Sequence, residues 1–210
     1  MVDEKDIAYF VRKTVWLTTT FMGSINTDMK NVRVVFTYAR MNPPTEGHRR
    51  VVESLREEAQ RTGAVARLYL SETHDTKRNP LDKETKLDFV RRAFPDIEVR
   101  TARTVFAAGC DIAADGGADA VMVVGEDRLE SFTKTLTAYV DTDDLPLKTL
   151  EVRAISRGED DTSATRAREA AASGDWTAFS AMSPTPDEMI TRELFHAVRT
   201  GMGVQENGTI

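Results

Sequence analysis

Five short apolar segments, separated by stretches with helical periodicity, constrain the fold of this chain more than any other feature. All five are too short for a helix, and 34–36 and 120–124 are continuous apolar runs, as expected of strands buried on both faces. Strands that alternate with helices form a doubly wound parallel sheet through right-handed crossovers, so we predict an α/β, Rossmann-like fold. The predicted strands are 34–36, 65–70, 97–100, 120–124 and 150–155.

The helical parts of the chain lie between the strands and at both ends. Residues 4–19 are predicted to form an amphipathic helix, residues 126–139 a mixture of helix and loop, and the part after residue 161 three further helices over 163–173, 175–182 and 185–199. The predicted regions are an N-terminal helix with its connector (1–30), an α/β core (31–160), a C-terminal helical part (161–200) and a flexible tail (201–210).

Composition limits the classes of partner. The net charge of −6 and the pI of about 5.2 disfavour general nucleic-acid binding, which needs a basic face. The single cysteine, Cys110, predicts a buried structural thiol and a reducing, cytoplasmic compartment. No apolar run approaches the ~20 residues of a membrane span, and no Cys/His cluster suggests a metal held by the protein.

The first motif lies at the end of the first predicted strand, where residues 39–48 read ARMNPPTEGH. Two prolines end the strand, because they fix φ and donate no hydrogen bond. Thr45 is a good N-cap for the helix that follows. Gly47 is unfavourable in a helical turn, which suggests that a ligand approaches the backbone there. With His48 as a further donor at a helix N-terminus, the pattern predicts a phosphate site.

The second motif, residues 162–168 (TSATRAR), follows the fifth predicted strand and opens a helix. A single hydroxyl would suffice as an N-cap, yet Thr162, Ser163 and Thr165 supply three. Arg168 lies on the same helix face as Thr165, so hydroxyls, helix N–H groups and a guanidinium form a second predicted anion site.

Two weaker signals follow the second and fourth strands, at the edge of the sheet where ligands bind in this architecture. Residues 77–81 read KRNPL; they indicate either a solvated turn or a site in which Lys77 or Arg78 reaches phosphate. Residues 125–127 read GED, and Asp127 is about as well explained by a helix cap as by a hydrogen bond to a ribose or base.

The four motifs together resemble those of the HIGH-type nucleotidyltransferases. Residues 39–48 are similar to the GRFNPPTxGH form of phage-type and mononucleotide adenylyltransferases, departing from it at Ala39 and Met41. Residues 162–168 resemble ISSTxxR, with Thr162 at the isoleucine position. Residues 77–81 resemble KxNPL, and residues 125–127 resemble GxD. Two matched motifs in this order, about 120 residues apart, are far more specific than one.

The resemblance implies roles for individual residues. His48 and Thr45 would hold the α-phosphate and stabilise the departing pyrophosphate, while Lys77 and Arg168 would hold the β- and γ-phosphates as catalytic residues. Nucleotide-binding residues would be Tyr38, Ala39, Arg40, Asn42, Gly47, Gly125, Asp127, Ser163 and Thr165. Mg²⁺ would bridge phosphate oxygens, mostly through water.

The expected reaction is transfer of AMP from ATP to a phosphate-bearing acceptor, with release of pyrophosphate. A phosphate acceptor is already anionic, so no general base is required, and the sequence offers no convincing base–nucleophile pair. Nicotinamide mononucleotide, giving NAD, is the favoured acceptor by resemblance. The alternatives are a cytidylyltransferase acting on CTP and a small phosphorylated alcohol, and a non-catalytic nucleotide-binding module. Neither nucleic acid nor membrane is an expected partner, and a homo-oligomer is compatible with the sequence.

Overall fold

A computed structural model describes residues 32–155 and 163–204 of the chain. The predicted N-terminal helix over 4–19, the loop before the second motif and residues 205–210 lie outside these ranges. The described strands are β1 (Val32–Ala39), β2 (Val65–Ser71), β3 (Glu98–Ala102), β4 (Gly117–Gly125) and β5 (Thr149–Ile155). The described helices are α1 (Glu46–Thr62), α2 (Lys83–Ala93), α3 (Val105–Ala114), α4 (Glu126–Thr137), α5 (Ala164–Ser173), α6 (Trp176–Ala181) and α7 (Glu188–Gly201).

The five strands form one parallel sheet in the order β3-β2-β1-β4-β5, which confirms the predicted doubly wound α/β fold. The chain runs outward from β1 to β3 and then crosses back to β4 on the other side of β1. The direction of the winding therefore changes between β1 and β4, and such a switch point leaves a crevice at the carboxyl ends of the two strands.

Each face of the sheet carries its own apolar core. On one face Val34 and Phe36 pack with α3 and α4, and on the other Val35 packs with α1 and α2. Neighbouring residues of β1 point to opposite faces, and both faces are covered, which explains the continuous apolar run. A third cluster joins α5, α6 and α7 to Leu81 and Phe89, so these helices pack beside α2.

Three local predictions need correction. The segment 126–139 is a regular helix, α4, over most of its length rather than a mixture of helix and loop. Cys110 is half-buried, with its sulfur 3.5 Å from the carbonyl oxygen of Asp144, rather than fully buried. Helix α7 continues to Gly201, two residues past its predicted end. None of the described helices combines the length and apolar character needed to cross a bilayer.

Candidate active site

A cavity of about 1120 Å³ opens at the carboxyl ends of β1, β2 and β4. Its walls come from the first turns of α1 and α5, the loop after β2, the exposed face of α4 and the end of α7. Among the residues that the structure describes, six basic side chains line it against one carboxylate, that of Glu169, although the whole chain is acidic. The local charge therefore favours an anionic ligand. The basic residues are Arg40, Arg50, Lys77, Arg78, Arg128 and Arg168.

The first motif forms a capping box in which a histidine takes the place usually held by Glu or Gln. Thr45 is the N-cap of α1, and its backbone N–H donates to Nδ1 of His48 over 3.0 Å. The Thr45 hydroxyl lies 2.9 Å from the same nitrogen. Because Nδ1 accepts, the neutral imidazole carries its hydrogen on Nε2. His48 lines the cavity, so the box fixes the orientation of a donor beside the helix N-terminus.

The strand leads into this helix through an unusual backbone conformation at Met41. Met41 has a φ of 42°, in the left-handed region that side chains other than glycine seldom adopt. Its side chain is fully buried in the core beneath α1. Packing thus holds a local strain at the point where the chain leaves β1. Met41 and Ala39, the two departures from the related motif, both line the cavity.

Asn42 ties the first motif to the loop after β2. Its Nδ2 donates to the carbonyl oxygen of Leu81 at 2.8 Å, and its Oδ1 accepts from the backbone N–H of Leu81 at 2.9 Å. The side chain is 1% exposed. Both ends of this amide are therefore engaged within the protein, which gives Asn42 a structural role that the sequence did not indicate.

Arg168 joins the second motif to the first. Its guanidinium donates to the carbonyl oxygen of Asn42 at 2.8 Å and to the Thr165 hydroxyl at 3.0 Å. Burial, followed by the nearby charge of Arg40, lowers the pKa of Arg168. The arginine is held among other cations where an anion would relieve the repulsion. The two predicted phosphate motifs thus meet, and His48 and Arg168 line the same cavity.

The other members of the second motif lie at the start of α5. Ser163 is the N-cap, and its hydroxyl accepts from the backbone N–H of Arg166 at 3.2 Å. Ser163 and Thr165 both line the cavity, while Thr162 falls outside the described residues. The motif therefore caps the helix and also faces the ligand space.

The loop after β2 is organised by Asp75, which the sequence analysis did not single out. Its carboxylate accepts from the backbone N–H groups of Lys77 and Arg78, at 2.9 and 2.6 Å, and from the side-chain amide of Asn79. These bonds, led by that from Arg78, lower the pKa of Asp75 to about 2. Lys77 and Arg78 both line the cavity, and His74 is exposed outside its lining, as predicted.

The fourth motif is only partly brought to the cavity. Gly125 ends β4, caps α4 and lines the cavity. Asp127 is exposed, does not line it, and lies 3.4 Å from the Nε atom of Arg128. In its place α4 presents Arg128 and Phe132, which are one turn apart on the same helix face. Their i, i+4 spacing directly after the GED motif could have predicted that both face the cavity.

The described residues form no candidate site for a metal held by the protein alone. They contain no group of three His, Cys, Asp or Glu side chains that could hold an ion. Within ranges 32–155 and 163–204, the cavity lining contributes one carboxylate, too few for a protein-built Mg²⁺ cage. The donor set is compatible with an ion that arrives already bound to phosphate oxygens.

Comparison with known proteins agrees with this geometry. Residues 36–170 match the sequence model of the cytidylyltransferase-like family. A search of curated proteins found no match. Among solved structures, Thermotoga maritima TmcAL bound with alpha-thio ATP has a similar fold, with a TM-score of 0.52 and 14% sequence identity. That match covers 82% of this chain and 56% of the TmcAL chain, so it spans little more than half of that protein.

Proposed function

The chain belongs to the cytidylyltransferase-like family, and on that premise we propose that it is a nucleotidyltransferase that transfers AMP from ATP to a phosphate-bearing acceptor. The observation that carries this proposal is the convergence of His48 and Arg168, from two distant strand-to-helix junctions, on one basic cavity. Two helix N-termini directed at one space suit a chain of phosphoryl groups better than a single anion.

The proposed chemistry is an in-line displacement at the α-phosphate, in which the acceptor phosphate attacks and pyrophosphate leaves. Positioning and charge neutralisation would supply most of the rate enhancement. His48, with its Nε2–H, and Thr45 would stabilise charge on the α-phosphate. Lys77 and Arg168 would neutralise the departing pyrophosphate, with Ser163 and Thr165 as hydrogen-bond donors.

Mg²⁺ would enter with the nucleotide rather than bind a site in the free protein. When bound, it would neutralise phosphate charge. The residues of the chain then have to hold the complex through phosphate oxygens that the ion leaves available. Among the described residues of the cavity, arginine and lysine outnumber carboxylates, which supports a protein that binds phosphate oxygens and leaves the metal ion to the nucleotide.

Nicotinamide mononucleotide is the proposed acceptor, giving NAD. The support is the resemblance of residues 39–48 to mononucleotide adenylyltransferases, together with the size and charge of the cavity. Ligand pockets span roughly 300–1,000 Å³, and this cavity lies above that range. Arg40 and Arg128 are available for a second phosphate, beyond the residues assigned to the triphosphate.

A cytidylyltransferase that uses CTP and a small phosphorylated alcohol is the second candidate, and the matched family model favours it. A nucleotide-binding module without catalysis is a third candidate, and Ala39 and Met41 are the residues that favour it. An intact His48 and Arg168 argue for catalysis, since a module that only binds has no need of a donor beside the reacting phosphate.

Pyrophosphate release separates these candidates. The purified protein is incubated with ATP or CTP, each with nicotinamide mononucleotide or with a small phosphorylated alcohol, in the presence of Mg²⁺. We expect release with ATP and nicotinamide mononucleotide. Release only in the mixture of CTP and the alcohol would favour the cytidylyltransferase. Binding of ATP with no release in any mixture would favour the non-catalytic module. If the protein neither binds ATP nor releases pyrophosphate, the proposal is refuted.

A further inference from the structure

The carboxyl end of α7 is in close contact with the loop that carries Lys77 and Arg78. Gly201 is the last residue of α7, and a Cβ atom built on it would lie 2.7 Å from the carbonyl carbon of Pro80 and nearer still to its oxygen. Carbon atoms that are not bonded to each other do not approach so closely. The opposing atoms belong to the backbone, so a side chain at position 201 would require the helix or the loop to move.

Helix α7 has little freedom to retreat from this contact. Its Arg199 donates to the carbonyl oxygen of Ala171 on α5 at 2.5 Å. Leu194, Phe195 and Val198 are buried in the cluster that joins α7 to α5 and α6. Leu81 of the loop is buried in the same cluster, so a displacement at the contact is passed between α7 and the loop.

The peptide that Gly201 contacts also binds Asn42, which links the first motif to Arg168 of the second. The Pro80–Leu81 peptide unit presents its carbonyl oxygen to Gly201, and its N–H donates to Oδ1 of Asn42 at 2.9 Å. The backbone oxygen of Asn42 accepts from Arg168 at 2.8 Å. A displacement of this peptide therefore acts on Asn42 and, through it, on Arg168.

We propose that Gly201 is a positioning residue for the nucleotide site. The absence of a side chain at this position lets α7 seat against the Pro80–Leu81 peptide and so sets the placement of Asn42, Arg168 and the preceding Lys77 loop. The next residue, Met202, lines the cavity itself, so the end of α7 forms part of its wall. This inference rests on the proposed function, because the site it positions is the proposed triphosphate site.

The test compares two glycine-to-alanine variants. In G201A the added methyl group meets the Pro80 backbone, and we expect kcat/KM for ATP to fall by about a hundredfold, the scale of an ångström displacement in an active site. In G117A the added methyl group meets the carbonyl oxygen of Ile112 at 2.8 Å, but at the amino end of β4, away from the cavity. G117A should lose thermal stability and keep its affinity for ATP.

Hydrogen exchange provides a readout that does not depend on activity. We expect faster exchange of the Leu81 amide in G201A, because its bond to Asn42 is weakened, and no change at Leu81 in G117A. Unchanged exchange at Leu81 together with an unchanged kcat/KM for ATP in a folded G201A would overturn the inference. Failure of the wild type to bind ATP would instead refute the proposed function.

If G201A does not fold, hydrogen exchange of the wild-type protein tests the inference instead. Addition of ATP should slow exchange at Leu81 and at Met202 together, since the Met202 N–H closes the last turn of α7 on Val198. Protection of Leu81 without any change at Met202 would show that α7 does not respond with the loop, and the inference would fail.

Discussion

The guanidinium of Arg168 donates a hydrogen bond to the backbone carbonyl oxygen of Asn42 at 2.8 Å, across 126 positions of the sequence. The bond links the start of α5 to the turn between β1 and α1. The second terminal nitrogen of the same guanidinium donates to the Thr165 hydroxyl. The planar fork of arginine therefore aligns the two predicted phosphate motifs and also carries charge.

Replacement of Arg168 by lysine should separate these two roles. Lysine keeps the positive charge but cannot reach Asn42 and Thr165 in the same fixed geometry, so ATP should bind about tenfold more weakly or worse. Titration calorimetry with ATP measures the effect. R166K, on the same helix but outside the cavity lining, is the matched control and should bind ATP normally. Equal affinity in R168K and wild type would remove the geometric role.

Two replacements of His48 distinguish catalysis from helix capping. H48A removes both the cavity donor and the acceptor for the Thr45 N–H, so turnover should fall about a hundredfold and stability by about 1 kcal/mol. H48Q places a usual capping-box residue at the same helix position, so its melting temperature should stay near that of wild type while turnover is still lost. Full turnover in H48A would exclude His48 from the reaction.

Lys86 should make stability depend on pH in the alkaline range. Its side chain is fully buried, and Nζ donates to the carbonyl oxygen of Ser71. Burial lowers the pKa of Lys86 to about 8, and the charge of Glu72 only partly opposes this. The unfolded chain keeps this proton up to its ordinary pKa of 10.5, so from pH 8 to 10.5 the unfolded state binds more protons and stability rises with pH.

Urea denaturation of wild type and K86M between pH 7 and 10 tests this expectation. The difference in unfolding free energy between the two proteins should be constant below pH 8 and should shift in favour of wild type above it. A constant difference over the whole range would show that the lysine titrates as it does in water.

Arg67 is the buried member of an ion-pair network. Removal of its acidic partners should lower the free energy of unfolding more than removal of the arginine itself. Its side chain is 8% exposed and contacts Glu98 at 2.9 Å and Asp115 at 3.1 Å. Removal of both acids leaves a buried charge without its salt bridges, which should cost about 3 kcal/mol of unfolding free energy. In R67M the two carboxylates stay partly exposed and paired with Arg100, so we expect a change of about 1 kcal/mol or less.

Chemical denaturation of R67M and of the E98A/D115A double variant measures this difference. Arg61 supplies a reference because its side chain is exposed and its partner Glu58 also pairs with Arg153, so R61A should change stability by less than about 1 kcal/mol. A larger loss in R67M than in the double variant would contradict the expectation.

The central strands β1 and β4 were predictable because both of their faces are buried and their apolar runs are continuous. The ends of those strands were not: Thr37 is polar and yet buried at the end of β1, so a search for apolar runs stops too early. Helix α4 was predicted only as a mixture of helix and loop for a related reason. Leu136 is its only fully buried residue, and a helix with so narrow an apolar face gives a weak periodic signal.

The two motifs that predict phosphate binding could be found in the sequence, but the contacts that align them could not. Thr45 and His48 are three residues apart, and a histidine in the place of Glu or Gln hides the capping box. The Asn42–Leu81 and Arg168–Asn42 contacts join residues 39 and 126 positions apart. Only the order of the strands brings them together, and no local pattern encodes that order.

The apolar cluster that α5, α6 and α7 share with Leu81 and Phe89 also limits how this protein can be divided. A fragment cut before α5 would expose both side chains to water and, in addition, lose the guanidinium that bridges the two halves of the cavity. The C-terminal helices therefore cannot be exchanged as an independent cassette with those of a relative. Any chimaera would have to carry the surface of α2 along with them.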